Sequence, residues 1–349
     1  MKDYLIVGGG LAGISFAETA YLNNKTFTIV TDTSQNSSLV AAGIYNPVIL
    51  KRFSLPMDAK EHADYMKPFY LRIEQRLNIK FDVELPVFRK FASVEEQNNW
   101  FEAADKPTLE PFLSTKIEHV KYQYLPSPFG FGRVMHTGYV DTDILTESYH
   151  VWLKSNGNLL QETFTHTDLI IHNDYIEYKG ITAKHIVFAE GFGLHTNPWF
   201  SYLPLDGTKG ELLLIKAHNL KLDVAVNAGV FILPFGNDLY KVGATYEWVD
   251  KTPTPTVAGK AELLERLNEV ITCNYEVIEH LAGIRPTVKD RKALVGTHHI
   301  HKNVHLLNGL GTRGVMLGPS LAKELFESIE NNRPVKKDVN LNRFKTSVI

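Results

Sequence analysis

Three glycines near the start of the chain, Gly8, Gly10 and Gly13, stand at a G-x-G-x-x-G spacing between a short apolar run, Tyr4–Val7, and a helical pattern that begins at once. In a dinucleotide site each has a separate role. Gly8 permits the tight turn, Gly10 offers no Cβ to obstruct a pyrophosphate, and Gly13 lets helix and strand pack closely. The phosphates rest on free N–H groups at the helix N-terminus, which Leu11 and Ala12 open here. A second strand, Thr26–Thr31, ends at Asp32, where an acid bonds the ribose hydroxyls of the adenosine half; Thr31 is the alternative for that role. The competing reading is a glycine turn that binds nothing. At the far end of the chain Arg285 stands in Ala282-Gly283-Ile284-Arg285-Pro286. A permanently charged planar fork suits bidentate capture of a carboxylate, and the alternative is a salt bridge to an acid such as Asp290.

The elements that position these residues follow from pattern. Residues 3–32 read strand–helix–strand, with Leu11, Ile14, Ala17, Ala20 and Tyr21 on one face. The stretch Ser37–Pro47 is small and uncharged, able to lie against a planar ligand or to serve as an ordinary connector. Helix character occupies 58–78. Antiparallel strands are expected at Phe81–Phe91 and Ile117–Tyr124, as a layer inserted into the nucleotide domain. A helix over Ile144–Ser155 takes Asp141 or Thr142 as N-cap and closes at Asn156-Gly157. Ile186–Gly191 returns to the nucleotide sheet; Glu211–Lys216, Val230–Pro234 and Leu239–Ala244 are second-domain strands, with an amphipathic helix over Lys260–Ile271. His305–Gly314 repeats the opening logic of strand, glycine loop and helix. The closing helix runs to about Asn331 with Pro319 in its first turn, and 333–349 is a polar tail. The fold class is α/β: a Rossmann-like domain with an inserted, mostly antiparallel β-sheet substrate domain. The expected division is 1–55, 136–203 and 281–349 for the first, and 56–135 and 204–280 for the cap.

Composition narrows the setting. With 349 residues, 22% charged and a net charge of −2, the chain is an ordinary globular protein rather than a strongly basic nucleic-acid binder. Its single cysteine, Cys273, excludes an internal disulfide and a cysteine metal cluster and suits a reducing, cytoplasmic setting. No apolar run approaches the length of a membrane span. His298, His299, His301 and His305 cluster without a nearby acid or cysteine, and read as surface or turn histidines rather than a metal site. Trp199-Phe200 and Tyr246–Trp248 read as packing rather than a base-stacking platform.

Gly8–Gly13, the Ser38–Gly43 loop, Gly138–Asp141, Ala189-Glu190-Gly191, Gly243-Ala244-Thr245, Ala282–Pro286 and the Gly309–Gly314 loop occur in this order. Together they resemble the D-amino-acid oxidase / glycine oxidase family of FAD-dependent oxidoreductases. Residues 52–135 match that pattern poorly. Leu310–Gly314 with Gly243–Tyr246 is most similar to one branch, the oxidase half of the bifunctional enzyme that modifies wobble uridine in bacterial tRNA.

The resemblance implies non-covalent FAD, with the ADP on Gly8, Gly10, Leu11, Ala12 and Gly13 and on Thr31 or Asp32. Ser38, Ala41, Ala42 and Gly43 cover the pyrophosphate and flavin, joined by Gly191. Gly309, Gly311, Thr312, Arg313, Gly314 and Val315 bring a helix N-terminus to the flavin pyrimidine edge, where negative charge develops. Arg285, Arg313 and Tyr246 form the implied catalytic set, Arg285 holding the substrate carboxylate. The implied reaction is oxidation of the C–N bond of an amino acid or carboxylate-bearing secondary amine, by hydride transfer to flavin N5, with dioxygen among the candidate acceptors. Glycine oxidases tend to carry tyrosine where Phe231 stands, which argues against a glycine-like substrate. A tRNA wobble-uridine side chain is the alternative substrate, and a flavin-binding sensor or assembly subunit the non-catalytic alternative. The oligomeric state is left open.

Overall fold

The computed structural model describes residues 1–56 and 58–344. Seven α-helices are present among them: α1 (Leu11–Leu22), α2 (Ser37–Val40), α3 (Ala59–Leu77), α4 (Val94–Ala104), α5 (Thr142–Ser155), α6 (Val257–Asn268) and α7 (Gly314–Asn331). The first sheet carries the parallel strands Ile181–Phe188, Lys2–Val7, Phe27–Thr31 and Leu159–Gln161 in that order, with Val304–Asn308 also parallel beside Ile181–Phe188. Alternate residues of the first strand enter different cores: Tyr4 and Ile6 face α1, α3 and α7, whereas Leu5 and Val7 face the opposite layer. A strand covered on both faces is why Tyr4–Val7 reads as an unbroken apolar run.

The second sheet has eight strands in the order Glu276–Arg285, Thr208–Lys216, Leu239–Gly243, Phe231–Pro234, Ala225–Asn227, Val87–Lys90, Phe131–Val134 and Leu113–Glu118. Every pairing is antiparallel except that of Ala225–Asn227 with Val87–Lys90. Period-two alternation divides its faces. Leu213, Ile215 and Val242 pack with Leu263 and Leu267 of α6, which leaves Gly210, Leu212, Phe231 and Gly243 to line a cleft on the other side. A third, small sheet joins Ile44–Tyr45, Gly138–Val140 and Asp82–Glu84. The mixed α/β class is as expected. No helix among the described residues is long and apolar enough to cross a membrane.

Several expectations need correction. Helix α3 packs on α7 with the nucleotide-side core rather than with the cap, because Met66, Phe69, Tyr70 and Ile73 form one apolar stripe against it. The strand Glu276–Arg285 stays in the second sheet through residue 285, past the expected boundary at 281. Phe81–Phe91 splits into Asp82–Glu84 and Val87–Lys90 in two different sheets, and the second expected strand is shifted to Leu113–Glu118. Pro319 lies beyond the first turn of α7. Its missing N–H frees the Val315 carbonyl, and the buried Tyr70 hydroxyl donates to that oxygen at 2.9 Å. Part of the expected tail is ordered: Val335 and Leu341 are buried, and Arg343 pairs with Asp290 at 2.8 Å. Residues 345–349 lie outside the described residues.

The histidines also depart from expectation. His299 and His301 belong to a turn, but His298 is 8% exposed and His305 1% exposed. His305 Nε2 meets His185 Nδ1 at 3.1 Å, and its Nδ1 meets the Thr297 hydroxyl at 2.9 Å. Burial, and then the His185 ring, hold His305 well below the usual imidazole range, while burial lowers His298 to about 4. Both are neutral in the fold, whereas the unfolded chain takes up a proton at each near pH 6.5. Their stabilisation is complete above that pH and is lost as pH falls toward 4. Thermal melting followed from pH 7.5 to 4.5 is expected to show this loss, with His305 contributing up to about 1.4 kcal/mol per pH unit. His305→Gln is expected to flatten the curve; a curve parallel to wild type would refute the assignment.

Candidate active site

The N-terminal turn is built from contacts that only glycine permits. Gly8 has φ +107°, and a Cβ on Gly13 would lie 1.8 Å from the Gly8 carbonyl oxygen. Gly13 is therefore consumed in bringing α1 onto the sheet and does not line the cleft, as the close-packing role requires. The Gly9 N–H donates to Thr31 Oγ1 at 3.0 Å and the Leu11 N–H to Ser38 Oγ at 3.1 Å. The N-cap Gly10 supplies no side-chain cap, and the first turn of α1 carries no acid, so its positive end is unneutralised. Thr31 turns its hydroxyl onto the glycine turn. Asp32 is bound by Ser34 N and Oγ, at 2.9 and 2.6 Å. Burial opposes its charge, yet the Ser34 hydrogen bonds outweigh that and hold the carboxyl below its ordinary range. It is an acceptor at the cleft wall.

From this end a cavity of about 1180 Å³ runs past the Ser37–Gly43 loop to the cap sheet. It brings together Gly8, Gly10, Leu11, Ala12, Thr31, Asp32, Ser38, Ala41, Ala42 and Gly43 at one side, and Gly191, Gly311, Thr312, Arg313, Gly314 and Val315 at another. Gly309 is not brought to it. With φ +72° and a Cβ that would lie 2.6 Å from Val288 Cγ2, it is a packing glycine.

Arg285 reaches the far end of the cavity. Its Nη1 donates to the carbonyls of Lys209 and Thr245 at 3.3 and 3.2 Å, and its guanidinium lies over the Tyr246 ring, 4.6 Å from the centroid. Gly210 makes room for it, since a Cβ there would stand 2.0 Å from Nη2. The competing salt bridge is absent: Asp290 is held by Arg343, and no described acid pairs with Arg285 or Arg313. Arg313 is the N-cap of α7, whose first turn also lacks an acid. Burial lowers both guanidinium groups, with Tyr246 pulling weakly the other way; both stay charged at neutral pH. Two uncompensated cations and a helix N-terminus thus face one end of a cleft whose walls include the apolar Leu212 and Phe231. Tyr246 and Trp248, expected to be packed, are 60% and 41% exposed.

Sequence reasoning missed four features. Gly210 makes room for Arg285. Glu190 accepts from Asn197 Nδ2 at 2.7 Å and meets His166 Nε2 at 2.9 Å, fixing the turn before Gly191. Thr146 and His150 of α5 line the cleft, and His150 Nε2 donates to the Gly9 carbonyl at 2.9 Å. Only this i, i+4 pair was detectable in advance, as polar residues on one helix face. No described group of three or more acids, histidines or cysteines could hold a metal ion. Cys273 is buried in the cap core, where burial pushes its thiol pKa up.

A family model described as FAD dependent oxidoreductase matches residues 3–328. The chain is 24% identical to the glycine oxidase of Bacillus subtilis over 60% of its length and 61% of that relative's. It is also 24% identical to the Legionella pneumophila protein named tRNA 5-methylaminomethyl-2-thiouridine biosynthesis bifunctional protein MnmC, covering 84% of this chain but only 45% of that one. The crystal structure of glycine oxidase from Geobacillus kaustophilus superposes with a TM-score of 0.77 at 18% identity, covering 100% of this chain and 99% of that one.

The role of Gly210 is open to test. Gly210→Ala is expected to turn the guanidinium aside and to weaken binding of a small carboxylate such as benzoate by about tenfold. Titration of the carboxylate followed by flavin absorbance measures it. Unchanged affinity would show that Arg285 tolerates the methyl group.

Proposed function

Because the chain belongs to the FAD dependent oxidoreductase family, we propose that it oxidises the C–N bond of an amine that carries a carboxylate. The observation that carries this reading is Arg285, a partly buried guanidinium with no acid partner among the described residues and its Nη1 alone spent on backbone carbonyls. A buried charge without a counter-ion is costly unless a ligand supplies one. A substrate carboxylate does so, and the fork then orients the reacting carbon.

In this reading the turn at Gly8 and Gly10, the N-terminus of α1 and Asp32 hold the ADP half of FAD. The Ser38–Gly43 loop and the N-terminus of α7, with Gly311, Thr312, Arg313, Gly314 and Val315, border the flavin. When bound, FAD supplies the acceptor for the two electrons removed from the amine. Arg313 adds positive charge where the carboxylate enters, and Tyr246 covers the Arg285 fork. Phe231, apolar where a hydroxyl would serve glycine, favours a larger or N-substituted amine. The halves divide accordingly into a discontinuous cofactor domain, to which α3 belongs, and a cap built on the second sheet. Dioxygen is the proposed electron acceptor.

A second reading is favoured by the exposed Tyr246 at the cleft, with the exposed Trp248 two residues further along the chain: the amine is a wobble-uridine side chain of tRNA, with these rings against bases. The net charge of −2 weighs against it.

Arg285→Leu is expected to lower the second-order rate of anaerobic flavin bleaching by about a hundredfold, with Arg285→Lys intermediate. An unchanged rate with every reducing amine would remove the carboxylate role. For the second reading, wobble-uridine nucleosides are compared between cells lacking the protein and wild-type cells; unchanged nucleosides would remove it.

A further inference from the structure

Helix α5 presents two stripes. Leu145, Tyr149 and Leu153 enter the core, whereas Thr142, Thr146 and His150, four residues apart, turn to the loops that border the cofactor cleft. The first and last of these have partners in those loops. Thr142 Oγ1 donates to the Ala41 carbonyl at 3.4 Å, in the small-residue loop, and His150 Nε2 donates to the Gly9 carbonyl at 2.9 Å, in the glycine turn. The middle residue, Thr146, is 7% exposed and lines the cleft, yet its hydroxyl has no hydrogen-bond partner. It does not bond back to a carbonyl of its own helix, the usual recourse of a helical threonine. A buried hydroxyl left without a partner is destabilising, and such groups in native structures call for an explanation.

Its position supplies one. The two loops that α5 ties down are those proposed to enclose the cofactor's diphosphate, and the orphaned hydroxyl lies on the same helix face between the two ties. We propose that Thr146 is a cofactor-binding residue whose hydroxyl donates to a diphosphate oxygen of the bound dinucleotide. This rests on the reading of the cleft as the FAD site. The helical backbone allows threonine two χ1 wells, so the hydroxyl can turn to the ligand without moving the helix. Thr142 and His150 are positioning residues: they hold the two loops at the spacing this contact needs.

The test uses the full-length protein freed of flavin, with Thr146→Val, which keeps the shape and removes the donor, and Thr146→Ser, which keeps the donor. Dissociation constants for FAD, ADP and AMP are measured together with melting of the flavin-free protein. Thr146→Val is expected to weaken FAD and ADP by about tenfold and to leave AMP, which lacks the diphosphate, within about twofold. Thr146→Ser is expected to stay within about twofold of wild type for all three. The flavin-free Val variant is expected to melt at or above the wild-type temperature, because it loses an unsatisfied group. FAD and ADP affinities in Thr146→Val equal to those of wild type would overturn the inference while leaving the FAD site intact. A Val variant that is destabilised without flavin, with Ser equally weak in binding, would assign Thr146 a packing role and also overturn it. Wild-type protein that binds no FAD would overturn the site and the inference together.

Discussion

The structure depends on one close approach. The Gly8 carbonyl and the Gly13 Cα lie so near that a single added methyl group would stand 1.8 Å from the oxygen. This contact seats α1 on the first sheet and aims its N-terminal amides into the cleft. Everything around α1 is closed in consequence. Nine of its residues are buried, Glu18 among them, and that carboxylate is completed by a two-pronged pairing with Arg76 from α3. The Arg76 guanidinium in turn lies against both Tyr21 and Trp152, 4.4 and 4.2 Å from their ring centroids, in the corner these two edge-to-face rings form. A buried acid so satisfied costs little, and α3 is thereby bound to the cofactor half rather than to the cap.

Charge is distributed unevenly along the cleft. Asp32 stands at one extremity and the N-terminus of α1 follows. The N-terminus of α7 with Arg313, and then Arg285, occupy the other end. Neither helix places an acid in its first turn, so their positive ends are left for the ligand. The second sheet contributes shape: glycines at 210 and 243 keep its cleft face open beside Leu212 and Phe231.

Local signals were legible in the sequence and long-range ones were not. The glycine turn, the strand after α1, the Asp141 cap of α5 and the loop before α7 all announce themselves within a dozen residues, since turn chemistry and apolar period act locally. Arg285 was legible as a cation suited to a carboxylate, but its freedom from Asp290 was not, because Arg343 is fifty-three positions away. Sequence order sets helix α3 beside the cap strands, whereas its Phe69–Ile73 stripe answers to α7. Gly309 carried the same letter as its neighbours in the loop, and only its contact with Val288 shows that it packs inward. Thr146 gave no signal beyond spacing, since an orphaned hydroxyl is defined by what surrounds it.

The arm from Tyr246 to Thr256 is secured from beneath. Lys209 and Glu247 exchange backbone hydrogen bonds, and the wholly buried Lys209 ammonium grips Asp250 and the Thr254 carbonyl. Thr256, at its end, is fastened to Glu211 at 2.8 Å. Between these moorings the tip is free: Val249 is 88% exposed. Such an arm behaves as an interchangeable part. A substitution at its tip touches none of these moorings, so the tip's chemistry is separable from the frame that carries it.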